Sequence, residues 1–197
     1  MSYNELNYVR GYLAGKSMNL SLKTLKFIEE KHKGQIRRGT GEPYFYHPLK
    51  VASFLISLGI EDDSIITVAL LHDVLEDCQV SILDFTNLGL NNNIIKSVEL
   101  LTKPEDFEKT PEHYKKYYEG IATDPIAILV KLGDRCHNLL SMDSKFTKEK
   151  AQKYVQEAKD YLIPITKNAR WNYPQYSNAF YIFKNIIEGI NNILYLN

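Results

Sequence analysis

The run Ile65-Ile66-Thr67-Val68-Ala69-Leu70-Leu71, with Val74-Leu75 just beyond it, constrains this chain more than any other stretch. Apolar side chains recur there on nearly every face of a 3.6-residue turn, which describes a central helix buried on all sides. Such a helix needs neighbours to cover it, and the sequence supplies them. Leu49, Val51, Ala52, Phe54, Leu55 and Leu58 stripe a segment that Gly59 closes. Pro48 can open it, because proline at a first helical position gives up a donor that has no partner there anyway. Leu22, Leu25, Phe27 and Ile28 give an apolar face to an earlier helix ending near Lys33-Gly34, and Asp62 or Asp63 can cap the central one. Asn91 to Leu101 is amphipathic, Pro111 opens a further helix, and Asp124-Pro125 begins a second buried one through Ile126, Ala127, Ile128, Leu129, Val130 and Leu132. Thr147 to Arg170, kinked at Pro164, and Tyr176 to Leu196 read as two long closing helices packed on what precedes them. No alternating strand pattern is convincing. The expectation is an all-α helical bundle forming a single domain over residues 1–197, a length that one core can serve.

Hydrophobic residues make up 44% of the chain, enough for such a core, and 24 basic residues balance 24 acidic ones. A net charge of zero argues against a nucleic-acid or membrane-surface partner, which calls for a basic excess. No apolar run approaches the ~20 residues of a membrane span. Met1 to Arg10 is polar and mixed, unlike a secretory leader. Cys78 and Cys136 fit neither a metal knuckle nor a disulfide framework, so a reducing cytoplasm is expected.

The chemistry is carried by separated fragments. His72-Asp73 closes the apolar run, and an ionisable pair there is costly unless something compensates it. A divalent cation does so, taking imidazole nitrogen and carboxylate oxygen as donors. Adjacent helical residues point ~100° apart, so both reach one ion only if it lies beside the helix edge, and further ligands must come from elsewhere. His47, at a loop-to-helix junction, and Asp134, on the second buried helix, are suitable. The mixed set His47, His72, Asp73 and Asp134 suits a six-coordinate ion such as Mn²⁺ or Fe²⁺ better than Zn²⁺. Such an ion would lower the pKa of a bound water. Glu76 and Asp77 stand four and five residues past His72, and acids at the negative end of a helix call for a nearby cation. A metal beside an acid/base pair is the outline of a hydrolase. One histidine on an apolar face is normally structural; the combination is what speaks for a site.

Three stretches also resemble the signatures of the RelA/SpoT-type HD-domain hydrolases: His32 through Pro48 (with Gly41-Glu42-Pro43-Tyr44-Phe45-Tyr46-His47-Pro48), Leu71 through Asp77, and Val130 through Leu139. Order and spacing match over about residues 20–165, and neither a synthetase domain nor a regulatory tail is expected. The resemblance implies an HD fold and a stand-alone small alarmone hydrolase. It implies Mn²⁺-dependent cleavage of the 3′-diphosphate from ppGpp or pppGpp, giving GDP or GTP and pyrophosphate, with other divalent transition metals possible. His47, His72, Asp73 and Asp134 match its metal ligands, and Glu76 and Asp77 its catalytic acids. Arg37 and Arg38 match basic residues beside the nucleotide, Asn138 a nucleoside contact, and Lys150 and Tyr154 residues facing the nucleotide. Lys131 and Arg135, with the two loop arginines, could offset phosphate charge. His32 and His137 read as supporting or packing residues. Two alternatives stand beside this: an HD-fold phosphohydrolase of another nucleotide, such as an adenosine-based pApp-type alarmone or NADPH, and a non-catalytic nucleotide-binding module. An antitoxin linked to an alarmone synthetase only through that enzyme's product is a biological variant of the first reading.

Overall fold

The computed structural model describes residues 2–37, 40–142 and 147–196. Among these residues the chain is all-α, and its one β pairing is an isolated antiparallel bridge between Ile36 and Pro43. Its contacts fall into two compact units, one running up to Arg37 and resuming over Gly41–Pro104, the other from Glu105 onward.

The first unit comprises α1 (Ser2–Gly15), α2 (Asn19–Lys31), α3 (Tyr46–Ser57), α4 (Asp63–Leu71), α5 (Val74–Asp77), α6 (Ile82–Leu88) and α7 (Asn92–Leu101). Every residue of α4 from Ile65 to Leu71 is buried, and α2, α3 and α7 pack around it. Each such Leu, Ile or Val side chain contributes about 1.5–3 kcal/mol when withdrawn from water. Both candidate caps are used, for different helices. The Asp62 carboxylate accepts from the Ser64 and Ile65 amides at 2.8 and 3.2 Å and starts α4. Asp63 turns the other way and accepts from the Leu20 and Ser21 amides at 3.0 and 2.8 Å, starting α2. The buried face of α2 differs from the expected one: Ser21 and Thr24 join Leu25 and Ile28, while Leu22 and Phe27 are half-buried. Ser21 tolerates burial because its hydroxyl is bonded to Asp63 and to Thr67.

The central helix stops earlier than its apolar pattern suggests. It ends at Leu71, His72 and Asp73 form a turn, and α5 restarts at Val74. The His72 ring supplies a reason. Its Nδ1 donates to the Ala69 carbonyl at 2.8 Å, the acceptor that the Asp73 amide would take in a continued helix.

The second unit comprises α8 (Pro111–Ile121), α9 (Pro125–Leu140), α10 (Lys148–Glu157), α11 (Ile163–Asn172) and α12 (Ser177–Leu196). Asp124 caps α9 through the Ile126 and Ala127 amides, and the helix is buried without a break from Ala127 to His137. It packs on α8, α11 and α12. The expected single helix over 147–170 is instead two, separated by a π-helical turn, Ala158–Leu162. Pro164 therefore lies in the first turn of α11, where its missing N–H breaks no bond, and the widened turn accommodates the ring.

Candidate metal centre and acid pair

The α4–α5 turn and the start of α3 bring three donors of the first unit together. His47 Nε2 lies 3.2 Å from His72 Nε2 and 3.1 Å from Asp73 Oδ2, and His72 Nε2 lies 3.2 Å from that same oxygen. Both imidazoles are buried, and Asp73 is about one-fifth exposed. Since Nδ1 of His72 donates to Ala69, its Nε2 carries the lone pair and faces the cluster. Metal–donor bonds of about 2.0–2.2 Å at near right angles set neighbouring donors about 3 Å apart. The triangle of two nitrogens and one carboxylate oxygen fits a single divalent cation. Burial opposes a charge on Asp73, yet His72 and His47 hold its carboxyl well below the usual range.

A loop closed by the Ile36–Pro43 bridge delivers one more group to this triangle. The Tyr44 hydroxyl donates to Asp73 Oδ2 at 2.8 Å. Burial, and then the charges of Asp73 and Asp77, push the phenol pKa up. Asp77 is pushed up as well, by lost hydration and by the charge of Asp73. Glu76 accepts a hydrogen bond from the Lys103 amide, so its carboxylate is tied to the end of α7. Gln35 Nε2 donates to the Asp77 carbonyl at 2.8 Å, and its Oε1 lies 2.7 Å from His32 Nδ1. The buried His32 thus supports the site, its ring centroid 5.1 Å from that of Tyr44. Arg37 is half-buried beside the same loop, and Arg38 lies outside the described residues.

The remaining candidates belong to the second unit. Asp134, on α9, is buried and held at both oxygens: Lys131 Nζ donates to Oδ2 at 2.9 Å and Asn138 Nδ2 to Oδ1. Burial opposes the Lys131 charge, but Asp134 keeps that ammonium protonated. Arg135 is buried, paired with Glu157 at 2.6 Å and bonded to the Tyr118 hydroxyl. Its guanidinium lies 4.7 Å from the centre of the Tyr154 ring. Lys131, Arg135 and Asn138, read from sequence as substrate contacts, are thus all engaged inside their own unit. Tyr154 and the exposed Lys150 line a cleft of about 690 Å³ on this unit, together with Lys109, Lys153, Tyr114 and Tyr161. Tyr114, Tyr161 and Tyr118 stack in series, with centroids 5.8 and 5.4 Å apart.

Tyr44 and Glu157 escaped the sequence reading. Tyr44 lies three residues before His47 within a quoted signature, which is a usable signal; nothing in sequence pairs Glu157 with Arg135, 22 residues away.

Residues 24–165 match the HD domain family. The chain is 33% identical over 166 residues to a GTP pyrophosphokinase of Myxococcus xanthus, covering 80% of this chain and 21% of that protein. It is 37% identical over 143 residues to a guanosine-3′,5′-bis(diphosphate) 3′-pyrophosphohydrolase of Aquifex aeolicus, covering 71% and 20%. It spans about a fifth of the length of these relatives. Among solved structures it resembles a metazoan ortholog of SpoT described as hydrolysing ppGpp, with a TM-score of 0.65 and 27% identity over 74% of this chain and 84% of that one. Most of the described sequence, including all three signature stretches, falls within the family match, and the chain belongs to the HD domain family.

Proposed function

We propose that this protein is a metal-dependent (p)ppGpp 3′-pyrophosphohydrolase that releases pyrophosphate from ppGpp or pppGpp and leaves GDP or GTP. The observation that carries the reading is the triangle of His47 Nε2, His72 Nε2 and Asp73 Oδ2, each 3.1–3.2 Å from the others, with Glu76 and Asp77 on the next turn. Relatives bearing both kinase and hydrolase names share this segment. A histidine/carboxylate donor set beside paired acids is hydrolytic chemistry, which favours the second name. The HD match runs through both compact units, which supports treating them as one domain.

Asp134 is assigned as the fourth ligand; Lys131 and Asn138 hold its two oxygens and so preset its carboxylate. Mn²⁺ is the proposed ion, because two imidazoles and two carboxylates suit a six-coordinate cation. When bound it supplies Lewis-acid chemistry toward phosphate and lowers the pKa of water. Glu76 and Asp77 orient the attacking water and handle the proton that the departing 3′-oxygen must gain as its bond to phosphorus breaks. Lys150 and Tyr154 hold the nucleotide in their cleft, with Lys109 and Lys153 adding positive charge. Arg37 and Arg38 act on the diphosphate. Arg135 positions Tyr154 from below.

Two variants test the division of labour. Asp73→Asn replaces an anionic donor by an amide and is expected to abolish both Mn²⁺ uptake and turnover. Glu76→Ala is expected to retain metal and lose turnover about 100-fold or more. Metal analysis by inductively coupled plasma with a pyrophosphate-release assay reads both. Full activity of Asp73→Asn in metal-replete buffer would remove Asp73 from the ligand set, and metal loss in Glu76→Ala would make Glu76 a ligand.

A further inference from the structure

Tyr44 is neither a proposed ligand nor one of the acids, yet its hydroxyl is bonded to the ligand cluster. It donates to Asp73 Oδ2 at 2.8 Å, the oxygen that also faces His47 and His72. A phenol has one proton to give, and here it goes to that carboxylate. Its ring is held independently of that bond. It packs edge-on against the His47 ring, with centroids 5.8 Å apart, and against His32 at 5.1 Å. Its backbone amide donates to the Gln35 carbonyl at 2.9 Å, and the Gln35 side chain in turn donates to the Asp77 carbonyl. The loop therefore grips Asp77 through its backbone and Asp73 through its side chain. Asp73 needs such a grip. It sits in the turn between α4 and α5, where no helical ladder fixes its side chain against the two imidazoles.

We propose that Tyr44 is a positioning residue that sets the Asp73 carboxylate on the His47–His72 pair. This rests on the metal centre assigned above. Tyr44→Phe keeps the ring against His32 and His47 and removes only the O–H. Titration calorimetry of the purified full chain with Mn²⁺ is expected to show affinity weakened about 10-fold, the usual loss when a partner of a ligand is removed. At saturating Mn²⁺, kcat for ppGpp falls while KM stays within about twofold, the pattern of an interaction that orders the reacting groups rather than binds substrate. Unchanged Mn²⁺ affinity and unchanged kcat would reduce Tyr44 to packing. A raised KM with unchanged kcat would make it a substrate contact, and either result overturns the proposal. The titration needs no substrate, so the two readings fail separately. If the parent leaves ppGpp intact and Tyr44→Phe still loses Mn²⁺ affinity, the substrate assignment falls and the positioning role stands. If the parent hydrolyses ppGpp and the variant equals it in both measurements, the reverse holds. A parent that takes up no Mn²⁺ removes the metal centre and this role with it.

Discussion

Burial and charge pull in opposite directions at Asp73. Withdrawal from water favours its neutral acid, and the two adjacent imidazoles favour the carboxylate strongly enough to win. The same contest explains why His72 and Asp73 stood out in sequence: ionisable residues at the end of an apolar run demand compensation, and a cation is an economical form of it. Tyr44 was not legible in that way. It is one of 14 tyrosines, and nothing about its type separates it from those that only pack. Polar residues in the core of α2 were missed for a related reason, since a hydroxyl in an apolar stripe reads as exposed until its partner is known. Thr24 is the informative exception. Its hydroxyl is fully buried, with no hydrogen-bond partner among the described residues. Thr24→Val keeps the shape and removes the unsatisfied oxygen, so it is expected to raise stability by up to about 1 kcal/mol in urea unfolding. A loss of stability would mean that the hydroxyl has a partner in solution.

At the scale of elements, capping decides where helices begin, and here adjacent acids cap two of them. Asp63 supplies the start of α2 that Met18 does not, and it does so from the first residue of α4. Asp63→Ala is expected to cost about 1–2 kcal/mol, since it removes a cap and a tie between two core helices at once; Asp62→Ala should cost about 1 kcal/mol. Equal or reversed losses in denaturant midpoint, at unchanged m-value, would deny the tie. The position of a cap was readable from Asp62-Asp63; which helix each acid serves was not, because the answer depends on how α2 lies against α4. The break at His72-Asp73 and the π turn before Pro164 were missed because hydrophobic periodicity continues through both. A side chain competing for a carbonyl, or a proline absorbed by a wider turn, leaves the apolar pattern intact.

For the whole molecule, all-helical architecture follows from periodicity alone, and the HD family match accords with it. Function needed more, because a helical bundle supports many chemistries. The proposed donors come from segments far apart in sequence, His47 after a loop, His72 and Asp73 at a helix break, and Asp134 on α9. Their types and order could be read from the chain, whereas the 3 Å spacing of His47, His72 and Asp73 in the first unit required the fold. The assembly is proposed to remove pyrophosphate from a guanosine alarmone. The most direct measurement is anion-exchange analysis of products after the purified chain is incubated with ppGpp and Mn²⁺, with EDTA in a parallel reaction. GDP and pyrophosphate in equal amounts, absent with EDTA, are the predicted result; ppGpp recovered intact at full Mn²⁺ occupancy would contradict it.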